Sequence, residues 1–537
     1  MKMLGKFRGS LLLTLAVLAA LNVAAGLYFG RLDLSDGKVF TLSDYSRKLV
    51  AGLEEPVTVK VFFSEDVGPQ YNQNRTYLRD MLDDYKAWSK GKLTVELVNP
   101  REKESFEDEA KKYRIQPLQA QVLENDQFTS RMVFMGVALL CGERTESIPV
   151  LADVEGLEYT ITGALRRLTV KELESVGILQ GNGEPPFSSP AYPGMPQQPG
   201  LGTLSELLRK DYQVRPVNLS QSPAVPEEIG TLLWVKPTAR VDSATLYKLD
   251  QFLMRGGRLG LFLDKVDARL QEQQAMPLEL GLDAWLAHFG VRVNDDLVGD
   301  LSCGNVQVRQ GGGGLMGLFA VNMKYPLFVE VKDFAPEQAI TRDLSSTTLF
   351  FPSSLDTSAF AAARAMGAKV TVIARSTPAS ESQAGPAFDL QPLERVDRQS
   401  AAARFNAGPQ VLAATVEGSF TSAFTGPVAP DSTGAAAPYL AKGQPARLAV
   451  VGDGDFLVDG YARPNNVLLA QNVADWLSLD SGLISIRGKI LKARPLEEVS
   501  DGARKSLKWL NILGVPALVV AFGLLRWTAR RRRSQAA

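Results

Sequence analysis

Two uncharged apolar runs bracket the chain, and the charges beside them constrain it more than any other feature. Ser10 to Phe29 (SLLLTLAVLAALNVAAGLYF) carries no charge and has close to the length a helix needs to cross a bilayer core. Lys2, Lys6 and Arg8 precede it, and no acid appears before Asp33. Trp509 to Leu525 (WLNILGVPALVVAFGLL) is the second run, held between Lys508 and Arg526; Arg526, Arg530, Arg531, Arg532 and Arg533 follow it without an acid. Basic flanks stay on the cytoplasmic side of a membrane. Both ends are therefore expected in the cytoplasm, with everything from about Arg31 to Lys508 on the far side. A cleaved signal peptide is the competing reading of the first run, since Val23-Ala24-Ala25 before Gly26 is a tolerable cleavage site. The run continues past that point through Leu27-Tyr28-Phe29, which favours retention, and no cysteine is near enough for a lipid anchor. For the second run the competitor is a buried core helix. Pro516 is tolerated in a membrane helix, and the arginines beyond it suit anionic lipid head groups better than nucleic acid.

What lies between is ordinary folded protein. Of 537 residues, 45% are hydrophobic and 22% charged, so global disorder is excluded and about three domains of ~150 residues fit. Lys+Arg and Asp+Glu both number 59, which leaves no bias toward nucleic acid. The chain has one histidine, His288, and two cysteines, Cys141 and Cys303. Cys/His zinc clusters and disulfide scaffolds need residues it lacks. Neither a metal nor a cofactor is expected, and the two cysteines fall in different predicted domains, so two buried thiols are expected rather than a bridge.

Pro56 to Phe63 alternates as a strand. A helix follows over 75–89, with Leu78, Met81, Leu82, Tyr85 and Trp88 on one face. Leu93 to Val98 is a second strand and Ser105 to Tyr113 a charged helix. Val122-Leu123 and Val133 to Cys141 read as a closing pair of strands. This order, βαβ then α then ββ, is that of a thioredoxin-like layer, though another small α/β domain would share it. The redox chemistry of that fold needs a Cys-x-x-Cys, and Gly68 to Arg75 contains no cysteine.

From Val176 the rhythm changes. VGILQGNGE is a buried strand entering a glycine turn. Thr203 to Glu206 has capping-box spacing, Thr231 to Val235 and Leu259 to Leu263 are strands, and Asp242 caps a helix that Gly256-Gly257 stops. Arg447 to Val451 is a strand entering Gly452-Asp453-Gly454-Asp455, and 466–477 is a helix. TTLFFPSS, KVTVIARS and QVLAATVEGSF supply further strands. Alternation of this kind predicts a mostly parallel sheet covered by helices on both faces. Three stretches, 184–202, 310–314 and 426–445, are rich in Pro, Gly or Ala and are expected to be mobile loops.

Catalytic patterns are missing. No Gly-Lys pair is followed by Ser or Thr, as a phosphate loop requires. Pro186 and Leu457 stand where a dinucleotide motif needs its third glycine, and there is no Gly-x-Ser-x-Gly elbow. His288, in AWLAHFGV, has no nucleophile motif to serve. The one suggestive group is Asp453, Asp455 and Asp459 in VVGDGDFLVDG, directly after a strand. Clustered carboxylates there suit a cation; Asp and Gly equally suit a turn, which is the favoured reading.

RLDLSDGKVFTLSDYSRKLVAGLEEPVTVKVFFSE, LEYTITGALRRLT, ILQGNGE and LAVVGDGDFLVDG together resemble GldG-like proteins, auxiliary components of gliding-motility-type ABC transporters. Asn182 departs from the histidine this family often carries there. The resemblance implies a larger Rossmann-like domain of the class I glutamine-amidotransferase type and partners in a separate ATPase and a permease; Asn182 and the lack of a nucleophile–histidine pair argue that no amidotransferase chemistry survives. The expected organisation is a cytoplasmic start (1–9), a membrane helix (10–30), a thioredoxin-like extracytoplasmic domain (31–160), an amidotransferase-like one (161–485), a linker (486–506), a second membrane helix (507–527) and a basic tail (528–537). The chain is then a non-enzymatic, extracytoplasmic transporter component of the bacterial inner membrane. An envelope scaffold independent of any transporter, or a hydrolase using His288 or the Asp453 group, are the rivals.

Overall fold

A computed structural model describes residues 41–478 except 66, 68, 125–126, 152–155, 171–172, 189–198, 310–319, 336–337, 339, 342–343, 393–402 and 429–437; of the two ends it describes only 17, 508, 522–524 and 526–527. The expected membrane helices and their basic flanks lie outside the described residues, apart from such single positions as the exposed, helical Arg526. Among the described residues no helix is long and apolar enough to cross a membrane. The glycine run 310–314 is likewise outside them.

The first layer opens with helix α1 (Asp44–Ala51), whose N-cap Ser43 accepts a hydrogen bond from the Ser46 amide. Strand β1 (Val57–Phe63), helix α2 (Pro69–Trp88), strand β2 (Leu93–Val98) and helix α3 (Glu104–Lys112) follow. Helix α2 begins a turn and a half earlier than its apolar stripe suggests, because Pro69 at its first position is preset for the helix. Two strands, β3 (Leu118–Glu124) and β4 (Gln127–Val133), pair only with each other. Strands β5 (Met135–Cys141) and β6 (Arg144–Ile148) close the main sheet, in the order β2-β1-β5-β6. This corrects the expected closing pair: Val122-Leu123 belongs to a separate hairpin, and the true partner of β5 is RTESI. That segment is a polar edge strand whose composition conceals it.

Val57, Val59 and Val61 alternate into one core with Leu78, Leu82, Tyr85, Val137 and Leu139. Each such buried side chain contributes ~1.5–3 kcal/mol. Helix α4 (Leu157–Thr169) packs Leu157, Ile161, Ala164, Leu165 and Leu168 into the same core, so LEYTITGALRRLT is one uninterrupted helix. Glu158 accepts from Ser46 Oγ and the Ser43 amide, both at 2.7 Å, tying α4 to the start of α1.

The second layer is built on an eight-stranded sheet. Its strands in chain order are β7 (Ser175–Gln180), β8 (Gln213–Asn218), β9 (Ile229–Val235), β10 (Arg258–Phe262), β16 (Asp333–Phe334), β18 (Lys369–Arg375), β20 (Val411–Thr421) and β21 (Lys442–Val451), and their spatial order is β16-β18-β20-β21-β10-β9-β7-β8. The five from β21 to β8 are parallel, and β20, β18 and β16 add antiparallel pairs. The sheet is thus less parallel than the sequence rhythm predicts. Strand β21 starts at Lys442, inside the stretch expected to be loop to 445. Neighbours along β9 alternate between two cores, Leu233 and Val235 on one face, Leu232 and Trp234 on the other. Helices α5 (Gly202–Leu208) and α8 (Pro464–Ser478) cover the first face and α6 (Ser243–Met254) the second. Asp242 caps α6 through the Thr245 amide at 2.7 Å, and Gly256 (φ +89) ends it, as read from the sequence.

Strands β11 (Val266–Arg269) and β12 (Gln274–Pro277) form a hairpin, β13 (Asp296–Asp300) pairs with β19 (Ser380–Ala384), and β14 (Cys303–Arg309), β15 (Ala320–Val331) and β17 (Thr347–Phe350) make a third small sheet. All three accompany the carboxyl edge of the parallel strands, where the chain leaves toward the candidate site.

Candidate functional site

Three neighbouring parallel strands each deliver a charged residue at their carboxyl ends. Lys236 follows β9, Asp264 follows β10 by two residues, and Asp453 and Asp455 follow β21. Parallel sheets place ligands at this edge. Asp264, Asp453 and Asp455 are all buried, with carboxylate oxygens within 4.8 Å of one another. Lys236 lies among them, its Nζ 2.5 Å from Asp455 Oδ1 and 2.9 Å from Asp264 Oδ2. Backbone amides supply the other donors. Phe350 N–H donates to Asp453 Oδ2 (2.6 Å), Asp455 N–H to Asp453 Oδ1 (2.7 Å) and Gly454 N–H to Asp264 Oδ1 (2.6 Å). Among the described residues Asp455 Oδ2 is buried without a hydrogen-bond partner, and Asp264 Oδ2 meets Lys236 as an ion pair without hydrogen-bond alignment.

Three acids against one ammonium leave excess negative charge in a dry site. Burial, then the charge of Asp264, pushes Asp455 up to about 7 against the pull of Lys236. Burial and both neighbouring carboxylates raise Asp453 well above the ordinary range. Burial alone would lower Lys236, but Asp264 and Asp455 outweigh it and raise the ammonium's pKa. The cluster is accordingly a proton-holding ion network, and its three carboxylates are the donor set from which a cation would be held.

Asp459, expected beside Asp453 and Asp455, points elsewhere. Its carboxylate accepts from the amides of Gly202 and Thr203, both at 3.0 Å, and from Thr203 Oγ1 at 2.7 Å. It therefore caps α5 from a distant part of the chain. The capping box read at Thr203 to Glu206 is not formed, because the helix starts at Gly202 with Leu201 as its N-cap, which puts Thr203 inside the first turn; its hydroxyl donates to Asp459 instead. These donors hold Asp459 below the ordinary carboxylate range although burial opposes them. Asp459→Ala is expected to cost ~1–2 kcal/mol, the usual worth of a lost cap, while Asp459→Asn retains most of it. Urea midpoints of the two variants check this.

A family model described as an ABC-type uncharacterized transport system matches residues 174–478, the whole second layer and more than half of the chain. The chain belongs to this family. Membership makes it an auxiliary component associated with an ABC-type transport system. A model for a domain of unknown function matches residues 36–139. An uncharacterized protein of Borreliella burgdorferi is 17% identical over 533 residues, covering 97% of each chain. A solved structure titled mmIFT52 N-terminal domain has 14% identity and a TM-score of 0.32, covering 57% of this chain and 98% of that one.

In this ABC-transport family member the other singled-out residues have structural surroundings. His288 ends a short helix, α7 (Asp283–His288); its Nε2 lies 2.9 Å from the Thr421 carbonyl oxygen and its ring stacks edge-on against Phe289. Asn182 sits in the turn after β7, where its carbonyl accepts from the Thr238 and Ala239 amides. Next to it, Glu184 accepts from Trp234 Nε1 and the Asn182 amide, each at 2.6 Å. Cys141 and Cys303 form no disulfide with each other; Cys141 is buried, and Cys303 is half-buried rather than buried as expected. Asp264 and Lys236 escaped the sequence reading. The signal was available, since each is the first ionisable residue after an apolar parallel strand.

Proposed function

We propose that this chain is the external, non-enzymatic part of a GldG-like ABC transport system. Helices over 10–30 and 507–527 hold it in a bacterial inner membrane, and it works with a separate ATPase and a permease. The match of the transport family over residues 174–478 carries this reading. Its two extracytoplasmic bodies are read as a thioredoxin-like scaffold lacking the redox cysteines (31–160) and an amidotransferase-like body (161–485). Supporting a silent body, His288 bonds a backbone carbonyl. In the buried cluster an ammonium sits between carboxylates where a hydrolase would need a nucleophile and a base. Energy from ATP, where it is used, comes from another polypeptide, since the sequence holds no phosphate loop.

Two measurements test the reading together. Protease added to intact spheroplasts is expected to degrade the region between the two apolar runs while leaving cytoplasmic proteins whole. Affinity capture from detergent-solubilised membrane is expected to recover an ATPase and a permease. A body untouched by external protease would overturn the topology. Capture with neither subunit would favour an envelope scaffold that works without a transporter.

A further inference from the structure

Beside the carboxylate cluster, on the same edge of the large sheet, lies an open cavity of about 560 Å³. That volume falls within the range that holds small molecules. Its walls are hydrogen-bonded into place: the Val241 amide donates to Leu280 O at 2.9 Å, and the Leu278 amide to Lys265 O at 2.8 Å. Consecutive residues leaving β10 divide the two sites, Asp264 reaching Lys236 and Lys265 reaching Asp283 and Asp295. The Lys265 side chain is only 5% exposed. Its Nζ lies 2.9 Å from Asp283 Oδ1 and 2.9 Å from Asp295 Oδ1, whereas both acids are more than half exposed. One ammonium against two carboxylates leaves a surplus negative charge on this wall.

Arg240 also lines the cavity, with no ion-pair or hydrogen-bond partner among the described residues. Gly281 has φ +74, and a Cβ there would come within 3.5 Å of Arg240 Cγ. A Cβ at that distance would be in ordinary contact, so the glycine is set here by its left-handed backbone and not by the arginine stem. Pro277 and Leu278 add apolar surface to the lining, and Glu279 adds a third carboxylate to Asp283 and Asp295.

We propose that this cavity binds a small zwitterion of the class of an unblocked dipeptide. The ligand's carboxylate would lie on the Arg240 guanidinium fork, its ammonium on Asp283 and Asp295, and its body on the apolar wall. A guanidinium matches a carboxylate in two parallel hydrogen bonds, and the carboxylates left in excess by Lys265 supply the complementary charge. Binding here is a property of the chain alone and requires no permease.

Calorimetric titration of the full-length chain in detergent with alanyl-alanine tests this. Saturable binding is expected, weakened about tenfold to a hundredfold by N-acetylating or C-amidating the peptide, the worth of one charged hydrogen-bonded contact. Arg240→Ala should weaken the free dipeptide equally yet leave the C-amidated one unchanged, because both changes delete the same contact. Asp295→Asn, which keeps the Lys265–Asp283 pair, should weaken the free dipeptide and spare the N-acetylated one. Absence of saturable heat at millimolar peptide overturns the proposal. So does equal binding of capped and free peptides, or an Arg240→Ala chain that melts normally and binds as before. A negative titration leaves the transport role standing, since that role is read from co-purification.

Discussion

Lys236→Met is expected to destabilise the second layer by ~3–5 kcal/mol at pH 8, the penalty for stripping one partner from a buried charge network. The side chains of Lys236, Asp264 and Asp455 are 14%, 1% and 8% exposed, so water cannot replace the lost ammonium. Acid should rescue the variant. In the native chain Asp455 titrates near 7 and Asp453 is also raised, both far above an unfolded aspartate near 4. Folding therefore favours the protonated forms. Their contribution is complete below about pH 4 and is lost as pH rises through the folded values, at up to about 1.4 kcal/mol per pH unit for each group. Without Lys236 only the backbone amides oppose the mutual repulsion, so protonation extends to higher pH and the total loss becomes larger. Urea unfolding at pH 5 and pH 8, followed by the fluorescence of buried Trp234 two residues from the substitution, should show a small gap between native and variant at pH 5 and a large one at pH 8. An equal gap at both would mean that Lys236 packs without pairing.

The sheet strands were legible in the sequence because they are apolar runs bounded by glycine or charge: TLLWV, LGLFL and RLAVV occupy the centre of the eight-stranded sheet. Helix ends were legible where one side chain does the work locally, as Asp242 does for α6. They were illegible where the cap comes from elsewhere, as Asp459 does for α5. RTESI failed for a different reason. An edge strand needs apolar residues on one face only, and this one buries a single residue, Ile148. The site was half visible: Asp453 and Asp455 stand in one motif, but Lys236 and Asp264 lie about 190 residues or more from it in sequence and join it only because β9, β10 and β21 are neighbours. Adjacency in a parallel sheet follows crossover topology, which periodicity does not encode. Listing the first ionisable residue beyond each predicted parallel strand would have added Lys236 and Asp264 to Asp453.

The same motif read as turn chemistry turns out to depend on space. Gly452 and Gly454 do not have positive φ. A Cβ on Gly452 would stand 2.0 Å from the Ser353 carbonyl oxygen, and one on Gly454 2.8 Å from Lys236 Cβ and 2.9 Å from Phe262 O. The closeness is itself bonded, since the Ser353 amide donates to Gly452 O at 2.7 Å and the Gly452 amide to Leu412 O at 2.9 Å. Gly452→Ala must therefore move backbone against backbone, with no flexible side chain to yield, and should cost ~3 kcal/mol or more, the upper range of overpacking. Because Phe350, three residues before Ser353, donates to Asp453, parting the two strands also removes a donor from a buried carboxylate. Gly230→Ala is the matched control: this glycine lies in β9 of the same sheet, and a Cβ there meets nothing within 4 Å. Its urea midpoint should stay within experimental scatter of the native value while that of Gly452→Ala falls steeply. Were the two variants equally stable, the glycines would be serving the turn after all, and the carboxyl edge would have slack enough for the buried acids to rearrange.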